Sequence, residues 1–191
     1  MSAAVNTDSP IAYWYTYAPN TTYCQNATSV SSMTAEMNFS GAALRYQWYS
    51  NAANSNTGGT LISGATSISY VPSTATVGST YYYAIATNAC NSIASTPINV
   101  QIGGPPYFYF QASGTPQVVC QNGIVTPFTV AVYSPYYPAT VQWGYYDGHR
   151  KDCWNGHVIY FLENTAIGTT GYFVEAINLC GTTYGTHPGV R

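Results

Sequence analysis

Charge is what this chain has least of. Among 191 residues there are four Lys or Arg and six Asp or Glu, 5% in all, against about 25% in ordinary soluble proteins. There is no basic patch, so no nucleic-acid partner is expected. Apolar runs are short: none approaches the ~18 residues of a membrane helix, and no membrane span is expected. Residues 1–10, MSAAVNTDSP, hold neither a basic stretch nor an apolar run, so no secretory leader is read in them. No stretch carries a 3.6-residue apolar period, which leaves helices out of the expected fold. The five cysteines, Cys24, Cys90, Cys120, Cys153 and Cys180, include no CxxC pair. Wide spacing favours disulfides and an oxidising compartment over zinc. No cofactor is expected.

What fills the chain instead is uncharged. Hydrophobic residues make up 46%, enough for a sizeable core, and there are 20 Tyr and four Trp. Disordered chains combine low hydrophobicity with high net charge; a net charge of −2 excludes that class here. Near-neutral surfaces tend to associate.

The chain repeats itself. Tyr23-Cys-Gln-Asn26 returns as Val119-Cys-Gln-Asn122. Tyr46-Gln-Trp-Tyr49 returns as Val141-Gln-Trp-Gly144. The run ending Asn88-Ala-Cys90 returns as the run ending Asn178-Leu-Cys180. Three markers in the same order and near-equal spacing make two copies of one domain. Their boundaries are read as an extended arm at 1–10, a first domain at 11–103 and a second at 104–191. Gly103-Gly104-Pro105-Pro106 forms the joint. Each copy reads as short strands: Thr34–Phe39, Leu44–Ser50, Ser67–Val71, Tyr81–Thr87 and Ile98–Ile102 in the first, separated by Asn, Gly, Ser and Pro clusters. The expected class is all-β, a sandwich in each copy. Turning Glu175 to water places Tyr172, Val174 and Ala176 inward, and Tyr82, Ala84 and Ala86 with them in the first copy. Trp48, Trp143, Tyr82 and Tyr172 are the expected core.

The stretch from Tyr46 to Cys90 resembles the immunoglobulin-like repeats of large secreted bacterial surface proteins, the adhesin-like arrays of gliding and biofilm-forming bacteria. The likeness is close over Tyr23–Ile102 and looser in the second copy. It implies two tandem Ig-like β-sandwiches, an extracellular or cell-surface location and a structural, non-enzymatic role. It also implies Cys24–Cys90 and Cys120–Cys180 bridges.

Asp147-Gly-His-Arg-Lys-Asp-Cys-Trp-Asn-Gly-His157 holds two of the three histidines, four of the ten charges and the odd cysteine. His149, Asp152, Cys153 and His157 are weak metal candidates, with His187 as an added ligand, but their spacing matches no standard zinc pattern. A Cys153 thiolate with His149 or His157 would be a nucleophile pair, though nothing supplies an oxyanion hole. Lys151, the only lysine, allows a Lys–Asn crosslink in the second domain alone. The plain reading is an exposed, solvated loop after the tryptophan strand.

Tyr13–Tyr17 (YWYTY) and Tyr107–Phe110 (YFYF) occupy equivalent places ahead of the repeated cysteine motif. As first strands they send one face inward and keep the other aromatic, covered by a neighbour or open to glycans. Sequons stand at Asn20, Asn26 and Asn38. The last strand of the second copy, with Pro188 and Gly189, reads as stunted. An arm from a second copy could complete it by strand addition, giving a head-to-tail homopolymer. The expected function is a filament subunit that engages itself, and glycans or a host or abiotic surface. The alternatives are a carbohydrate-binding module and a small Cys/His enzyme or metal-binding domain.

Overall fold

A computed structural model describes residues 13–37, 44–111, 117–118, 120, 122–124, 127–146, 150–155, 158–159 and 170–190. Every described element is a β-strand. The chain divides into two compact units, Met1–Ile102 and Gly103–Arg191.

In the first unit the strands are β1 (Trp14–Tyr17), β2 (Thr22–Cys24), β3 (Met33–Met37), β4 (Arg45–Asn51), β5 (Thr60–Leu61), β6 (Ser69–Tyr70), β7 (Gly78–Thr87), β8 (Ser92–Ala94) and β9 (Ile98–Gly103). One sheet runs β1-β3-β6. The other runs β2-β9-β7-β4-β5, with β8 also on β7. Alternation makes the sandwich: Met33, Ala35 and Met37 are buried while Glu36 between them is exposed. Trp48 is fully buried. Its strand partner is Ala84, whose single methyl leaves room for the indole. The indole Nε1 donates to the Ser67 carbonyl at 2.9 Å, so its buried donor is satisfied. Tyr82 lies on the same face as Ala84, and Tyr70 reaches it from β6 with ring centroids 5.6 Å apart.

The second unit holds β10 (Tyr107–Gln111), β11 (Phe128–Tyr133), β12 (Thr140–Tyr146), β13 (Arg150–Asn155), β14 (Val158–Ile159), β15 (Thr170–Asn178) and β16 (Gly181–Val190). Its sheets run β10-β11-β14 and β13-β12-β15-β16. Trp143 is again fully buried, opposite Val174, with Phe128, Tyr172 and Ala176 in the same cluster. Sequence markers and structure coincide closely at the turns. Asn26 and Asn122 both take left-handed φ, 58° and 59°, a conformation that asparagine tolerates better than most residues. Asn88 Oδ1 accepts the N–H groups of Cys90 and Asn91. Asn178 Oδ1 does the same for Cys180 and Gly181. The repeated asparagines are turn builders.

Three expectations need correction. Glu175, expected to face water, is buried. It lies on the face opposite the core, but β15 is a central strand, and Gln142 and Tyr184 flank the residue from β12 and β16. Cross-strand neighbours cover an outward side chain in mid-sheet. The last strand is not stunted: β16 has ten residues against six in β9. Pro188 and Gly189 fall at the register shift between the Thr170 and Tyr172 pairs, where a bulge on a terminal strand tolerates proline. Residues 150–155 are not a loop but strand β13, antiparallel to β12.

Candidate functional site

The first strand of each unit displays aromatic rings. In β1, Trp14 packs inward, edge-on to Tyr46 at 6.3 Å. The period of two then turns Tyr15 and Tyr17 outward, exposed by 68% and 65%, and Tyr13, just ahead of the strand, is exposed by 72%. Beside this row runs a polar one. Glu36 is the strand partner of Tyr15, Thr34 of Tyr17, and Ser69 of Thr34. In the second unit Phe108 packs on the core while Tyr107 and Tyr109 are exposed. Tyr133 of β11 stands opposite Tyr107, ring centroids 5.2 Å apart. Each unit therefore carries an uncharged phenol row on its three-stranded sheet.

The cysteines depart from the implied pairing. Cys24 and Cys180 are disulfide-bonded, whereas Cys90 and Cys120 are exposed thiols. Geometry rules out a Cys24–Cys90 bridge. The Asn26 N–H and the Gln25 side chain bind the carbonyls of Thr74 and Ala75, so Cys24 sits just ahead of the start of β7. Cys90 lies beyond its far end. Ten residues of strand span about 30 Å, and a disulfide needs Cα atoms within about 7 Å. The second unit repeats this arrangement. Cys120 accepts the Gly123 N–H as Cys24 accepts that of Ala27, and Cys180 follows the end of β15. Alkylation without reductant is expected to label Cys90 and Cys120 and to spare Cys24 and Cys180. Peptide mass mapping checks this; labelled Cys24 or Cys180 would contradict the assignment.

Of the metal and nucleophile candidates, Asp152 and Cys153 lie on β13, while His149 and His157 lie outside the described residues, as do Asn38 and the 1–10 arm. Lys151 is also on β13, and His187 on β16. Asn20 and Asn26 are exposed. Asn20 Oδ1 accepts the Thr22 N–H. Among the described residues no three His, Cys, Asp or Glu side chains gather where a metal could sit.

A cleft of about 280 Å³ enters the first unit, lined in part by Ser50, Tyr70, Thr80, Tyr82, Val100 and Ile102. Burial raises the Tyr82 phenol above its usual value, with Tyr70 adding to the effect. Burial raises Tyr70 likewise. Both rings stay neutral at physiological pH and present only hydroxyl chemistry.

A family model described as "Domain of unknown function (DUF8696)" matches residues 15–104. No curated protein matches the chain. Among solved structures, an I-band fragment from titin is similar at TM-score 0.58 and 12% identity, covering 94% of this chain and 64% of that one. The chain thus spans less than two thirds of that fragment. The three N-terminal domains of the bacteriophage RB49 outer capsid protein Hoc give 0.46 at 14% identity, over 87% of this chain and 55% of that one. Sidekick-1 immunoglobulin domains 1–5 give 0.47 at 16%, over 93% and 37%. The fold is all-β and of the immunoglobulin type.

Proposed function

We propose that this chain is a non-enzymatic structural and adhesive module of an extracellular or cell-surface protein, akin in role to bacterial surface repeats, and that its copies join head to tail into a filament. The observation that carries the adhesive part of this reading is the row of exposed tyrosines on each unit, in a chain with 5% charged residues. Such a surface favours contact over solvation. Disulfide-bonded Cys24 and Cys180 fit an oxidising compartment. Among the described residues no helix is long and apolar enough to cross a membrane.

The joint proposed is the 1–10 arm of one copy against the second unit of the next. Because β16 is full length, the arm does not replace a missing last strand. Its acceptor is β13, the terminal strand in the order β13-β12-β15-β16. Negative-stain electron microscopy of the purified protein, intact and lacking residues 1–10, tests both claims. Fibres that vanish with the arm are expected. Fibres that persist would refute this joint, and single particles in both samples would refute assembly.

A further inference from the structure

The geometry points to a binding strip for an extended, neutral polysaccharide on the outer face of the β1-β3-β6 sheet, with Tyr13, Tyr15 and Tyr17 as its floor. The proposal rests on the adhesive reading above and names the ligand class. Alternate residues of one strand stand about 6.6 Å apart in a straight line, so Tyr15 and Tyr17 of β1, with Tyr13 just ahead of the strand, offer a track rather than a pocket. A straight track fits a ribbon-like chain better than a coiled one. Sugar rings present C–H faces to phenols and hydroxyls at their edges. The parallel row of Thr34, Glu36 and Ser69 stands where those edges would fall. Glu36 is the only charge in this row, and the track itself has none, so an anionic polymer gains nothing here.

A second copy of the chain fits the strip less well. Rings that can bury about 150–250 Å² each, two-thirds exposed, present roughly 300–500 Å² together, whereas a stable protein interface takes about 800 Å² from each partner. The second unit repeats the design with Tyr107, Tyr109 and Tyr133.

The test is affinity electrophoresis of the full chain in gels containing hydroxyethylcellulose, with alginate as the anionic control. Retardation by hydroxyethylcellulose, unaffected by salt, is expected. Replacing Tyr13, Tyr15 and Tyr17 together with alanine should weaken it roughly tenfold or more, because each ring takes about a hundred Å² of apolar contact out of water. The triple phenylalanine variant should keep most of it. Its outward positions leave the core intact, and circular dichroism confirms folding of both variants. No retardation by hydroxyethylcellulose, or retardation equal in the alanine variant, overturns the proposal. So does preferential binding to alginate. Loss of self-association in the alanine variant without any glycan retention would assign the strip to a second copy instead. Fibres by microscopy with no retardation would sink this inference and leave the filament reading standing.

Discussion

Alanine in place of Trp48 should cost the first unit about 3–5 kcal/mol, the range for large-to-small changes in a packed core. Domains of this kind carry about 5–15 kcal/mol in all, so the loss removes a large share of the unit's stability. Three things are lost together. The indole is fully buried between the sheets. Ala84, its strand partner, is too small to fill the void. The Ser67 carbonyl loses the Nε1 donor. Urea titration followed by far-ultraviolet circular dichroism should show an early transition for the first unit, with the second unit melting where it did before. Phenylalanine at the same position should lie between the two, since it fills part of the space and returns no donor. A single unchanged transition in Trp48→Ala would contradict the core assignment.

The second large effect is expected at Gly103. A Cβ added there would come within 2.5 Å of two Tyr137 ring carbons and 3.1 Å of the Pro135 carbonyl. Here the need for glycine is close approach, not backbone conformation. Gly103→Ala should destabilise the second unit by about 1–3 kcal/mol, as other overpacked sites do. Trimming Tyr137 to alanine in the same chain should recover part of that loss, a coupling on the order of 0.5–3 kcal/mol for residues in contact. Differential scanning calorimetry of the two single variants and the double variant reads the coupling directly. Additive losses would mean that the ring moves aside and that the contact constrains nothing.

The markers that were easiest to read turned out to be local ones. Asn26 and Asn122 repeat because a left-handed turn follows each first cysteine. Asn88 and Asn178 repeat because their side chains close the turns that follow β7 and β15. Trp48 and Trp143 repeat because each sandwich has one central cavity to fill. A one-dimensional pattern records such features well. It records pairing poorly. Whether Cys24 can reach Cys90 depends on which end of a ten-residue strand each occupies, and the spacing of cysteines says nothing of that. Tyr133 joins the Tyr107 row only through strand register. In β13, three consecutive charged residues, Arg150, Lys151 and Asp152, hid a strand. The usable signal was Asp147-Gly148, a hairpin dipeptide between two runs of strand length. Proline and glycine at 188–189 read as strand breakers, yet a bulge at the sheet end accommodates them.

The central claim is that this chain works outside the cell as part of a surface fibre. Immunogold labelling of intact cells that make the protein, with antibodies raised against it, tests that most directly. Gold in rows along filaments on unpermeabilised cells is the predicted result. Labelling that appears only after permeabilisation would contradict it.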